Sequence, residues 1–350
     1  MNILLDDVPF NESLYPFGAV KSMVHIRIGI LTIFEKWQSV FPGKVFISSE
    51  MPVNTDITFY NKIPANLIPS ENFLKTLYEE KNSFPSIKDC KMLEYPWQIF
   101  EYNAWAIQQD FELITKGRKS ADISSTNQLI HSENIFVEEG ASISYSVLNA
   151  TDGPIHIGKN AEIFEGCFIR GPFSLGEGGR LKMGAKIYGG TTIGPYCMAT
   201  GEIKNAILMS YSNKAHDGYL GDSVIGSWCN LGAGTSNSNL KNTGGIVKMW
   251  SKEKKDLVPA GYKCGLLMGD YSRCAINTSF NTGTVVGVSC NVFGNIFSSK
   301  FIDDFTWGNE NYFFEKAISD INNWKKMKGL EITRQEIESL KKIYQTKHKQ

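Results

Sequence analysis

Aliphatic residues recur at every sixth position through the middle of the chain. Ile157, Ile163, Ile169, Leu175, Leu181, Ile187 and Ile193 follow one another without a break. Four residues after each stands Ala161, Cys167, Phe173, Gly179, Ala185, Thr191 or Cys197, mostly small, and Gly often follows the aliphatic residue directly, as in Leu175–Gly176. A helix repeats every 3.6 residues and a half-buried strand every two, so neither produces this spacing. A fixed six-residue period predicts a solenoid, here a parallel β-helix of triangular cross-section. Each hexapeptide supplies one short strand and one corner. The aliphatic side chain points to the axis, the small residue fills the space near the corner, and Gly and Asn tolerate the left-handed backbone that corners need.

The same phase resumes upstream at Val137 and Ile143, and downstream at Ile225 and Leu231 and then at Met268, Cys274, Phe280, Val286 and Val292. Between 231 and 268 the count is not a multiple of six, which predicts an insertion near 238–265. Such insertions leave one face of a solenoid as loops, often on its binding side.

The flanks read differently. Residues 1–120 are mixed α/β: "NILL" and "KVFISS" (44–49) are strand-like, "HIRIGILTIFEKW" (25–37) fits strand or helix, and Pro96 opens a helix. In that helix Trp97, Phe100, Ala104, Ile107, Phe111 and Ile114 line one face, and Lys116–Gly117 ends it. Polar residues 117–128 read as a linker. Residues 309–350 are helical, with Phe314, Ile318, Ile321 and Trp324 on one face and a Thr333/Glu336 capping box before a second helix. This tail is expected to cap the solenoid's end. The expected units are therefore 1–120, 121–308 and 309–350.

Composition narrows the function. Lys plus Arg and Asp plus Glu are 36 each, so there is no electrostatic case for nucleic acid or a membrane surface. The opening "MNILLDDVPF" lacks the basic start of a signal peptide, and no apolar run approaches the roughly 18 residues of a membrane span. Seven cysteines without a CxxC pair speak against a disulfide framework or a zinc knuckle. Buried free thiols in a reducing cytoplasm are expected instead.

The candidate chemistry lies in "SNKAHDGYLGDSVIGSWCNLGAGTSNSN" (212–239). The second half keeps the hexapeptide phase, so this Gly/Ser/Asn-rich stretch is predicted to be rigid wall. His216 stands just before the phase resumes, with Lys214, Asp217, Tyr219, Asn230 and Asn239 around it.

That stretch resembles the acetyltransferase half of the bacterial bifunctional N-acetylglucosamine-1-phosphate uridyltransferase/glucosamine-1-phosphate acetyltransferase family. The shared motif is His216, "YLGD" (219–222), "NLGAGT" (230–235) and Asn239, ungapped. The whole chain is also similar to a shorter sugar nucleotidyltransferase-like sibling group, through "IRIGILTIFEKW" (26–37), "FELITKGR" (111–118) and "NTGTVVGV" (281–288). The resemblance implies an α/β, shortened nucleotidyltransferase-like N-terminal domain, a left-handed parallel β-helix of hexapeptide repeats and C-terminal helices. It also implies a homotrimer with sites between solenoids. It makes acetyl-CoA the co-substrate and an amino-sugar phosphate or nucleotide sugar the acceptor. His216 would be the general base, its ordinary pKa of about 6.5 suiting neutral pH. Asn230 would help orient the amine or His216, the Ala233 N–H would meet the thioester carbonyl, Lys204 and Tyr219 would hold the sugar phosphate, and Asn239 would bind the sugar.

The chain departs from that pattern in three places. Ala215 stands where the family has Gly, and Leu240–Lys241–Asn242 where it has Tyr-Asp-Gly. Lys186 or Tyr188 occupies the neighbourhood of a family arginine. A different amino sugar, or a non-catalytic sugar-nucleotide-binding scaffold, is therefore a second reading. A third, sugar-1-phosphate nucleotidyl transfer with Mg²⁺, needs a Gly-rich phosphate loop and metal carboxylates. Residues 1–60 offer only Gly18 and Gly29 near Lys21 and Arg27, and Asp56 as an isolated carboxylate. The N-terminal domain is expected to be catalytically silent.

Overall fold

A computed structural model describes residues 1–10, 12–52, 60–80, 86–294 and 297–348, excepting the side chains of Phe10 and Tyr60. Asp56 lies outside them. The predicted solenoid is present: a left-handed parallel β-helix with three faces. On the first, Ile155–Ile157, Phe173–Leu175 and Thr191–Ile193 stack in parallel. On the second, Glu162–Ile163, Arg180–Leu181, Met198–Ala199, Asn213–Lys214, Asn230–Leu231 and Arg273–Cys274 do so. On the third run Phe168–Arg170, Lys186–Ile187 and the first halves of Glu202–Leu208 and Tyr219–Ile225. All seven aliphatic residues of the unbroken repeat are at most 2% exposed, and the in-phase Met268, Phe280, Val286 and Val292 are buried with them. Replacing Ile193, which sits in register between Leu175 and Leu208, by alanine is expected to cost about 2–5 kcal/mol of stability, measured by denaturant unfolding.

The corners differ from expectation. Gly178 and Asn160 take the left-handed conformation, but so do Tyr196, Tyr211, Trp228 and Tyr271. Stacking offsets the roughly 1 kcal/mol per residue that this backbone costs a side-chain-bearing residue. Tyr196 lies 5.0 Å from Tyr211 and Tyr211 4.3 Å from Trp228, centroid to centroid, in a ladder down one edge.

The N-terminal domain holds a three-stranded parallel sheet of Val45–Ile47, Asn2–Asp6 and Tyr60–Pro64. The ambiguous stretch 25–37 resolves into a short turn and the helix Ile33–Val40, begun by a Thr32/Glu35 capping box. The expected helix after Pro96 forms as Gln98–Glu101 and Asn103–Thr115.

This domain docks on the solenoid's first face. There Ile207, Val224, Leu267 and Val285 point outward into its core, while the alternating Leu208, Ile225, Leu266, Met268 and Val286 point to the axis. Strands buried on both sides need continuous apolar runs, which accounts for "AILM", "LLM" and "TVV". A buried polar cluster ties the two units. Asn103 accepts from the Gly29 N–H at 2.7 Å and donates to the Gly190 carbonyl and Thr192 Oγ1, and Thr192 donates to the Gly29 carbonyl at 2.9 Å. Gly29 has φ of +82°, and a Cβ there would stand 2.4 Å from the Asp110 carboxylate.

Two expectations are corrected. The insertion is an antiparallel hairpin, Val247–Ser251 with Asp256–Gly261. Its Val247 and Met249 are buried in the N-terminal domain's core, so it fastens the domains together and is not a free binding loop. The tail helices Phe314–Lys326 and Arg334–Lys347 pack along the solenoid's flank, through Ala317, Ile321 and Leu340 against Trp228, Tyr271, Val288 and Phe305. Those residues belong to successive coils, so the tail covers a side and leaves the end to a Thr306–Trp307/Glu310–Asn311 hairpin. The Thr333/Glu336 capping box is present as read.

Candidate active site

The second and third faces meet at a corner formed, coil after coil, by residues 199–202, 214–219, 231–236 and 274–279. His216 stands exposed on it. Asn213 is in register with Asn230, and the Gly234 N–H donates to the Asp217 carbonyl at 3.1 Å. That register sets Ala233 on the next coil beneath His216. The Ala233 carbonyl accepts from Asn277, while nothing among the described residues accepts from its N–H. Gly218 (φ +126°) lets the coils close up here, since a Cβ would lie 2.1 Å from the Thr235 carbonyl.

On the third face Tyr219 and Asn239 come together, the Asn239 amide donating to the Tyr219 hydroxyl at 3.1 Å and to Asp222 Oδ2 at 2.5 Å. Asn205 donates to Asp222 Oδ1 at 2.7 Å. Asp222 is buried, with φ of +46° where its strand bends between faces. Burial, and then the charge of Asp222, pushes the Tyr219 phenol above its ordinary pKa, so it stays a protonated hydrogen-bonding group. Burial followed by Asp222 likewise raises the Glu101 carboxyl, at the end of an N-terminal-domain helix that packs on these strands.

Lys204 projects from the same face, in register with Gly221, its ammonium 5.8 Å from the Tyr188 ring centroid. Tyr188 occupies the preceding coil, as the sequence indicated. Asn230 is half-buried on the second face, between Asn213 and Arg273. The fold thus joins His216 to Ala233, and Tyr219 to Asn239. It sets Asn230 on one side of the corner and Lys204, Tyr219 and Asn239 on the other. Sequence reasoning missed Asp222 as the hub, Asn205 and Glu101. Asp222 was visible within "YLGD", but only inter-coil register shows what it binds.

A cavity of about 1120 Å³ lies elsewhere, lined in part by Met209, Ser210 and Ser227 next to the aromatic-ladder edge. Lys21, Arg27, Ser227, Lys252 and Lys342 are among its lining. Arg27 is committed to Glu35 at 3.2 Å and to the Ile30 carbonyl. Among the described residues no group of three His, Cys, Asp or Glu is placed to hold a metal ion, and no helix is long and apolar enough to cross a membrane. All seven cysteines are free, six of them buried.

These features define a class: left-handed hexapeptide β-helix proteins with an α/β N-terminal domain docked on one face. The particular likeness is to bifunctional sugar nucleotidylyltransferase/acetyltransferases. Residues 48–119 match the family described as "Sugar nucleotidyl transferase". "Bifunctional protein GlmU" of Methanocaldococcus jannaschii is 38% identical over 89 residues, 25% of this chain and 21% of that protein. "Bifunctional sugar-1-phosphate nucleotidylyltransferase/acetyltransferase" of Sulfurisphaera tokodaii is 26% identical over 269 residues, 72% of this chain and 58% of that protein. The chain thus spans between a fifth and three fifths of these relatives' lengths. A solved Arabidopsis UDP-N-acetylglucosamine acyltransferase superposes with a TM-score of 0.31 at 12% identity, over 53% of this chain and 70% of that one.

Proposed function

We propose that this protein is an acetyl-CoA-dependent N-acyltransferase acting on an amino-sugar phosphate or nucleotide sugar, with His216 as general base. One observation carries the reading: an exposed imidazole stands one coil from an unpaired backbone N–H, beside a preorganised Tyr219–Asn239–Asp222 cluster. The sugar amine attacks the thioester carbonyl carbon. The C–N bond forms, His216 takes the amine proton, the Ala233 N–H meets the developing oxyanion, and the C–S bond breaks to release the CoA thiolate, which is then protonated. Tyr219 and Asn239 hold the sugar, Lys204 its phosphate, and Asn230 orients the amine. The test is acetyl-CoA consumption over a panel of amino-sugar phosphates and nucleotide sugars. No turnover with any of them, together with no acetyl-CoA binding by calorimetry, would leave the scaffold reading.

A corner is convex, so one solenoid exposes both halves of this site without enclosing them. Tyr145, Met183 and Ile276, each about two thirds exposed, flank His216 along the same edge, and Phe168 lies on the adjoining face. A cyclic trimer would cover them and close the site. Sedimentation equilibrium is expected to give three times the 39.1 kDa of one chain, and a monomer would count against this geometry.

The nucleotidyltransferase reading is supported by the family match at residues 48–119 and by the name of the Sulfurisphaera tokodaii relative. Mg²⁺ belongs to that activity alone. Pyrophosphate release from NTP and sugar phosphate, assayed with Mg²⁺, decides it.

A further inference from the structure

On the second face the inward position of each coil is filled by Ile143, Ile163, Leu181, Ala199, Leu231, Cys274 or Val292. One coil breaks the rule. Lys214 points to the axis and is 1% exposed. Its neighbour in register on the preceding coil is Ala199, among the smallest residues of the column, which leaves room for the longer chain. The ammonium donates to the His216 carbonyl at 2.5 Å. From outside, Lys182 Nζ donates to the Ala215 carbonyl at 3.2 Å.

Two lysines, one within the axis and one on the surface, therefore hold consecutive carbonyls of the segment that bears the imidazole. Burying an ammonium is costly unless a specific contact compensates it, and an apolar residue fills this position in each of the other coils named. Burial lowers the Lys214 pKa to about 8, so near neutrality it is a charged donor, stronger than a neutral one. A hexapeptide corner is a short loop with few backbone hydrogen bonds of its own. The His216 main chain gains order here from side chains.

We propose that Lys214, assisted by Lys182, is a positioning residue that locks the His216 main chain and so aims the imidazole over Ala233; the catalytic consequence rests on the acyltransferase reading above. Lys214→Met keeps the stem and removes the donor in an otherwise apolar column, and Lys182→Met removes the outer contact without touching the core. The chain has five histidines, so histidine-selective ¹⁵N labelling yields five backbone signals. The His216 order parameter is expected to fall from about 0.85 to below about 0.6 in Lys214→Met, and by a smaller amount in Lys182→Met. In the turnover assay kcat is expected to fall at least tenfold in Lys214→Met, with KM for acetyl-CoA within twofold and the melting temperature unchanged. An unchanged order parameter in both variants overturns the proposal even if His216→Ala abolishes turnover. If the wild type turns over no acceptor, the acyltransferase reading fails, while the order parameter still decides whether the lysines hold the corner. Should Lys214→Met not fold, Lys182→Met decides alone: no change in order parameter or kcat counts against the clamp.

Discussion

His216→Ala is expected to lower acyl transfer by about 10²–10⁴-fold, the usual contribution of a positioned general base, while leaving the protein folded. Both halves follow from the geometry. The imidazole is exposed on a corner and supports no packing. The segment is held by its main chain, through the His216, Ala215 and Asp217 carbonyls. Alanine keeps all three contacts. The Ala233 N–H and the Tyr219–Asn239 pair also survive, so KM for acceptor and donor is expected to change little and the loss to fall on kcat. The measurement is steady-state acetyl-CoA consumption with the best acceptor, beside circular dichroism. Equal rates in both proteins would remove His216 from the mechanism.

Asp110→Ala is expected to destabilise the N-terminal domain by about 3–5 kcal/mol, the cost of stripping one partner from a buried ion pair. Lys36 and Asp110 are each 1% exposed and meet at 2.5 Å. Burial lowers the Lys36 pKa and raises that of Asp110, and their attraction opposes both shifts. Asp110 Oδ2 also accepts from the N–H groups of Ile30 and Leu31, at 2.8 and 3.0 Å. Alanine leaves an ammonium and two amides unpaired in the core. Lys36→Met/Asp110→Asn removes both charges and keeps an acceptor, and is expected to regain most of the loss, because neighbours in one network are not additive. Chemical denaturation of the two variants and the wild type measures this. The effect reaches the site, since Ile30 and Leu31 adjoin the Gly29–Asn103–Thr192 contact that seats the domain on the solenoid and brings Glu101 toward Asp222.

The solenoid was legible because its period is local. A hexapeptide carries its own strand, axis residue and corner, so seven repeats in phase define the coil before any long-range contact is known. The second half of the His216–Asn239 stretch was legible as solenoid wall on the same terms, but its candidate chemistry came from family resemblance rather than from the period. Glycines 18 and 29, too few to make a phosphate loop, had no such local test of what they do instead. Gly29 serves domain docking, and Arg27 serves Glu35.

By itself, then, the order of residues determined the β-helix, its axis residues, the place of the insertion and the position of His216 just before the phase resumes. All are consequences of spacing along one strand of chain. Only the tertiary structure decided that the hairpin and tail fasten onto flanks, that Asp222 gathers Asn205 and Asn239, and that Lys214 turns inward. These depend on which coil stacks on which and where charge is desolvated. A solenoid whose corners vary by a residue or two conceals that register from anyone counting along the chain.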